Sequence, residues 1–223
     1  MLHRVTIVEQ NHTLTDEEFH RHWTTGHADI LIRMPGLVGY AQHHGVERVS
    51  GEPSSFPISG FAETWWESAE RSNLADSAPA IFDTLLEDER FMLSGATAFA
   101  ISNPREPEAV PRWRIWIFDP TATSPRLEEL CNILKEDGKL ATGKILLREP
   151  SLPILNRPQL RSLDVEPVGM VVLSYADAES ARKAFTSMFA RTGEMGCAPT
   201  RQIILTYEHR VFPVVSDGAK LSR

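Results

Sequence analysis

Three histidines and a tryptophan, His20, His22, Trp23 and His27, fall within one eight-residue stretch. Histidine is the side chain that takes and gives protons near neutral pH. On a helical wheel with Phe19 at the origin, Ile30, Trp23, Met34 and His27 all lie within about 80° of it, on one apolar stripe. His27 then sits in the buried stripe beside Trp23 and Leu31, His20 lies on its edge, and His22 lies on the opposite flank. An imidazole so placed is either a packed ring with satisfied nitrogens or an acid–base group bordering an apolar site.

The same spacing argues against a metal. His20 and His27, seven apart, are separated by about 10 Å along a helix axis. His22 and His27 are five apart and face different ways on an ideal helix. Neither H-x-x-x-H nor H-E-x-x-H occurs. His43 and His44 are adjacent on a strand, so their rings point to opposite faces. The two cysteines, Cys131 and Cys197, are far apart with no C-x-x-C, which suggests a reducing compartment and no disulfide framework.

A second group of candidates lies on strands. Tyr40, Gln42 and His44 alternate on one face, while Gly39, Ala41 and His43 share the other; Phe61, Glu63 and Trp65 oppose Ala62, Thr64 and Trp66. The pattern leaves open which face meets the helix. Trp23, His44, Glu63, Trp65 and Trp66 are the candidates for lining a substrate site, each with a plain structural alternative as core, rim or paired carboxylate. Serine nucleophile elbow, P-loop and G-x-G-x-x-G signatures are missing, so serine acyl transfer, phosphoryl transfer and Rossmann chemistry have no support.

Elements must hold these side chains in place, and they read twice along the chain. Three prolines within residues 102–111 mark a linker that nearly bisects it. Before it come a strand at 4–9 and a helix at 15–34, opened by Thr15 with Glu18 three residues on, the capping-box pattern. Pro35-Gly36 ends that helix. Strands follow at 37–46 and 59–66, then helical sequence from 68 to 88 interrupted near Pro79, then a strand at 91–101. After the linker come a strand at 112–118, a helix carrying Leu127, Leu130, Cys131 and Leu134 that stops at Gly138, and a strand at 142–148. A proline-punctuated loop runs to about Val165. A strand at 168–175, a helix capped by Asp177 and a strand at 200–211 finish the half, and residues 216–223 read as a frayed tail. The expected fold is α+β: two ferredoxin-like β-α-β-β-α-β units, residues 1–104 and 111–215, with their open sheets packed as an intrachain barrel. The second unit reads as structural.

The chain has 223 residues, 42% of them hydrophobic and 24% charged, as expected of a globular protein. With 23 basic and 30 acidic residues the net charge is −7, which offers no footprint for nucleic acid or anionic membrane. No apolar run approaches 18 residues, and polar residues interrupt the N-terminus before signal-peptide length; cytoplasm is the default expectation. An intrachain barrel implies a monomeric pseudo-dimer or a homodimer of such chains.

Thr15-Asp16-Glu17-Glu18-Phe19-His20-Arg21-His22-Trp23-Thr24-Thr25-Gly26-His27, followed by Met34-Pro35-Gly36-Leu37-Val38-Gly39-Tyr40, closely resembles the signature of the EthD family of dimeric α+β barrels. Gly60-Phe61-Ala62-Glu63-Thr64-Trp65-Trp66-Glu67-Ser68 is similar to that family's third segment and Glu87-Asp88-Glu89-Arg90-Phe91 to its fourth, over about residues 3–103. The second half shares the layout without the motif. The resemblance implies cofactor-independent dehydratases or decarboxylases of aromatic polyketides, isomerases of muconolactones, or accessory proteins. In the isomerases the positions matching His27 and Tyr40 are linked to catalysis. The expectation is therefore a cofactor-independent lyase on a hydrophobic oxygenated ring compound, with His27 and Tyr40 catalytic and neither metal nor cofactor. A lactone isomerase and a non-catalytic binding protein are the rivals. A haem held by His27 is a lesser one, since related barrels bind haem.

Overall fold

A computed structural model describes residues 1–50, 56–73, 78–104, 113–135, 142–191 and 201–212. The linker core, Gly138, Cys197 and the C-terminal tail lie outside the described residues. Strand β1 (Leu2–Gln10) leads into α1 (Asp16–His22), a π-helical turn (Trp23–His27) and α2 (Ala28–Leu31). Then come β2 (Leu37–Ser50), β3 (Gly60–Trp66), α3 (Pro79–Met92) and β4 (Leu93–Ala100). The second half runs β5 (Trp113–Phe118), α4 (Ser124–Lys135), β6 (Thr142–Leu147), the short β7 (Leu155–Asn156), β8 (Gly169–Tyr175), α5 (Ala178–Arg191) and β9 (Gln202–Phe212).

The strands form one sheet in the order β6-β8-β5-β9-β2-β3-β1-β4-β7. Within it, β4-β1-β3-β2 and β9-β5-β8-β6 carry the same antiparallel ferredoxin-like order, and β2 joins them by pairing with β9. The outer strands meet as well: Ile101 bridges to Arg148, and the Asn103 side chain hydrogen-bonds both Ile145 O and Leu147 N. Each half thus offers its second strand to the fourth strand of the other, which curls the sheet into the expected α+β barrel and leaves few exposed strand edges.

The period of two along each strand divides the core into layers. Val5, Ile7, Phe61, Phe99, Trp116, Phe118 and Ile204 fill the barrel interior. On the outer face of the first half, Phe19, Trp23, Leu31, Leu85 and Met92 from the helices pack on Val8, Tyr40, Ala62, Trp66 and Ala96 from the strands. Leu127, Leu130, Cys131 and Leu134 do the same for the second half against Val171, Leu173 and Leu205.

The first helix departs from expectation. Thr15 and Glu18 form the capping box, Glu18 N donating to Thr15 Oγ1 and Thr15 N to Glu18 Oε2. The helix is not one continuous run, however. At Trp23–His27 it widens into a π-turn, where Thr24 and Thr25 hydroxyls donate to the carbonyls of His20 and Arg21. These side chains satisfy carbonyls that an α-helical ladder would otherwise hold. Gly36 then turns the chain with φ +79°, a conformation that side-chain-bearing residues rarely adopt. Elsewhere β2 reaches further than expected and the second helix begins at Pro79, with proline at its first turn. In the proline-rich loop, Leu155 and Asn156 pair with Ala98 and Thr97 of β4, an edge strand with no hydropathy signal.

Candidate active site

A cavity of about 70 Å³ lies between the first-half helices and the outer face of β1, β2, β3 and β4. Trp23, His27 and Leu31 come from the first helical run, Tyr40, Ala62, Thr64 and Trp66 from the sheet, and Leu85, Glu89 and Met92 from α3. Leu155 and Arg157, from the second half, also line it. The cavity is therefore not the work of the first half alone. It is smaller than the roughly 150 Å³ that a benzene-sized ligand fills, so a ring ligand requires its mouth to open. The mouth carries a clasp, Arg157 on Glu89 at 2.6 and 3.2 Å.

His27 is held from behind. Its Nδ1–H donates to Asp88 Oδ2 at 2.8 Å, while His22 Nε2–H donates to Asp88 Oδ1 at 2.6 Å. One carboxylate thus clasps two histidines five residues apart. An ideal α-helix would point them apart, but i→i+5 bonding swings residue i+5 back towards residue i. This corrects the expectation that His22 lies on a different flank. Gly26 takes part by close approach: a Cβ there would stand 2.9 Å from His22 Cε1, forcing the ring away. Burial opposes ionisation of Asp88, but hydrogen bonds and charge from His27, then His22, outweigh it and hold its pKa below the ordinary value. The carboxylate fixes the His27 tautomer and leaves Nε2 without a hydrogen bond to the described residues.

Tyr40 is fully buried, and its oxygen accepts two hydrogen bonds, from Trp23 Nε1 at 3.1 Å and Gln42 Nε2 at 2.9 Å. With both lone-pair directions taken, the hydroxyl can act only as a donor. Burial raises its pKa above the ordinary value, against the opposing pull of Gln42 and Trp23, so it stays protonated. The donors are themselves oriented. Gln42 Nε2 also donates to Trp23 O at 2.6 Å, and its Oε1 accepts from His44 Nε2 at 3.0 Å. His44 Nδ1 in turn accepts from His20 Nδ1–H at 2.7 Å, so one chain of bonds assigns every tautomer. Burial, with help from His20, His209 and His43, pushes the His44 pKa down to about 3.

Of the residues singled out in the sequence, Trp23, His27, Tyr40 and Trp66 therefore meet at one cavity. His44 acts on Tyr40 through Gln42 and does not line the wall. Glu63 and Trp65 point the other way, into the barrel. There Glu63 accepts from His3, His43 and Arg114, and Trp65 stacks on His3. The register decides this: Tyr40 pairs with Thr64, so Thr64 and Trp66 share its face, and Glu63 and Trp65 do not. Asp88, Gln42 and Arg157 went unrecognised, although the first lies within the acidic run Glu87-Asp88-Glu89. Among the described residues no three histidine, cysteine, aspartate or glutamate side chains are arranged to hold a metal ion, and no helix is long and apolar enough to cross a membrane.

Residues 11–95 match the model of the EthD domain, a segment that contains Trp23, His27, Tyr40 and Asp88. This segment is similar to the EthD domain. No curated protein matches the sequence. Among solved structures, an anthrone oxidase-like protein superposes with TM-score 0.51 and 10% identity, over 98% of this chain and 96% of that one. A candidate monooxygenase from Fusobacterium nucleatum subsp. nucleatum gives TM-score 0.48 and 12% identity, over 99% and 98%. At these identities the likeness is one of fold. The EthD match leaves out Arg4, Leu155 and Arg157, which also line the cavity.

Proposed function

We propose that this protein is a cofactor-independent lyase, moving a proton on a hydrophobic oxygenated ring compound. The observation that carries the reading is the pairing of His27 and Tyr40 at one apolar cavity, with Asp88 behind the first and two hydrogen-bond donors behind the second. His27 Nε2 takes a proton from a ring carbon next to a carbonyl. The C–H pair moves into an enolate whose oxygen accepts the Tyr40 O–H. In a dehydration, that pair expels hydroxide from the neighbouring carbon, and His27 returns its proton so that water leaves. In a decarboxylation, the pair left behind by carbon dioxide collects a proton from His27. Trp23 and Trp66 wall the ring and exclude water. A positioned acid–base group contributes about 10²–10⁴ in rate.

The test is hydrogen exchange in deuterium oxide over a panel of cyclic ketones and phenols, both neutral and carboxylated, read by mass spectrometry. Protein-dependent exchange at the carbon next to the oxygen-bearing one is expected, reduced at least about 10²-fold in His27→Ala. Exchange indifferent to His27→Ala, or none across the panel, sinks the reading. Turnover that consumes dioxygen in place of losing water would move the protein from lyase to oxygenase.

A further inference from the structure

Arg4 sits on β1 with 6% of its surface exposed, and it lines the cavity. Its Nη2 donates to Ser72 Oγ at 3.0 Å. Its Nε and Nη1 are buried and have no hydrogen-bond partner, and no carboxylate among the described residues pairs with it. The nearest cavity carboxylate, Glu89, is already bound twice by Arg157. A guanidinium is always charged, and burying one without a counter-ion costs several kcal/mol. Burial, and then the charge of Arg157, lower its pKa to about 10, still far above neutrality. Nothing in the packing explains such an expense: a methionine would fill the same space with no unmet donors.

Position makes the residue more specific. Arg4 and Tyr40 both pair with Thr64 from opposite sides, so the three form one row across β1, β3 and β2 on the cavity face. Two strand spacings put the Cα atoms of Arg4 and Tyr40 about 10 Å apart. The free Nε–H and Nη1–H lie on opposite edges of the planar guanidinium, so the buried cation keeps N–H groups on both edges to offer to an anionic oxygen.

We infer that Arg4 is a carboxylate-binding residue, and that the substrate is an acidic ring compound whose carboxylate lies across the ring from the oxygen held by Tyr40. The inference rests on the proposed function, and it narrows it. A carboxylate bound to a buried arginine is stabilised as the anion, so it is a handle and not a leaving group. Loss of water, or rearrangement of a lactone, then fits the site better than decarboxylation of that carboxylate.

Calorimetric titration of the whole protein at fixed ionic strength with benzoate, its neutral analogue benzamide and inorganic phosphate tests this. Benzoate is expected to bind at least about 10-fold more tightly than benzamide, a difference of about 1.4 kcal/mol. Arg4→Met should abolish the preference and melt at a higher temperature than the parent, since an unpaired buried charge is gone. Arg4→Lys should keep part of the preference through its charge. Equal binding of benzoate and benzamide, a preference that survives in Arg4→Met, or phosphate binding as tightly as benzoate each overturns the inference. The titrations read binding alone and the exchange assay reads proton transfer, so failure here and failure of the exchange assay are separate results.

Discussion

His22 and His27 hydrogen-bond the two oxygens of one carboxylate, Asp88, although five residues separate them in the chain. The π-turn between them makes this possible, and it converts Asp88 into the group that aims His27. Asp88 does not itself line the cavity and is bonded to His27, which does, so it is a positioning residue.

Asp88→Asn keeps the shape but turns one of the two acceptor oxygens into an N–H donor, so His22 and His27 can no longer both donate to it. Exchange activity is expected to fall by about 10- to 10²-fold, the usual loss when the partner orienting a catalytic histidine is removed. The decisive readout is ¹⁵N NMR of the imidazoles: one Nδ1–H tautomer at His27 in the parent, a mixture in the variant. Unchanged tautomer signals would remove Asp88 from the machinery.

Tyr40 should behave as a donor only. Tyr40→Phe loses the hydrogen bond to the developing enolate and is expected to cost about 10- to 10²-fold in kcat, with little change in KM. Gln42→Met frees one lone pair on Tyr40, so its loss should be smaller and should again fall on kcat. A change confined to KM in both variants would make this pair a binding wall with no part in the chemistry.

Much of this was legible in the chain. The capping residues Thr15 and Glu18, the doubled β-α-β-β-α-β order and the shared stripe of Trp23 and His27 follow from local rules of spacing, whereas Tyr40 is linked to His27 through the EthD resemblance alone. What was hidden depended on backbone hydrogen bonding or on distant partners. A π-turn has no hydropathy mark, and Thr24-Thr25-Gly26, two hydroxyls that can hold carbonyls beside a poor helix former, was its only trace. Which of Glu87, Asp88 and Glu89 faces His27 depends on how α3 packs, 61 residues away. Glu63 and Trp65 could not be assigned a face because both faces of β3 are buried, so alternation of polarity, the usual indicator, is absent. Arg4 and Arg157 carry no mark in the sequence that separates them from ordinary surface cations in a strand and a loop.

Acid should weaken the fold early. His20, His43 and His44 all have pKa values lowered chiefly by burial, His44 to about 3 from 6.5. Each binds a proton more readily unfolded than folded. Their contribution is therefore complete above about pH 6.5 and is lost as pH falls below it. For His44 alone the loss by pH 5 is about 2 kcal/mol, or roughly 4–8 °C in melting temperature. Asp88, also lowered, adds a loss of the same sign further down, in the carboxylate range. Melting curves from pH 7 to pH 5 check this, and His44→Gln should flatten the slope. A melting temperature that stays level from pH 7 to pH 5 contradicts the assignment.

The barrel interior supplies the severest case. Arg114 of β5 joins Glu63 of β3 at 2.8 Å and Glu208 of β9 at 2.7 Å, all three almost wholly buried. His3 and His43 complete the shell of Glu63, and Arg210 reaches Glu208 at 2.6 Å from the rim. Arg114 thus neutralises carboxylates from both halves of the chain, where water cannot. Arg114→Met takes from two buried anions the cation they share, and a loss of about 3–5 kcal/mol is expected, as when one partner of a buried pair is removed. The triple variant Arg114→Met, Glu63→Gln, Glu208→Gln removes the charges together and should recover much of that loss. Denaturant unfolding of the parent, the single variant and the triple variant at pH 7 decides it. A deficit undiminished in the triple variant would mean that Arg114 stabilises the barrel by packing its stem and not by its charge.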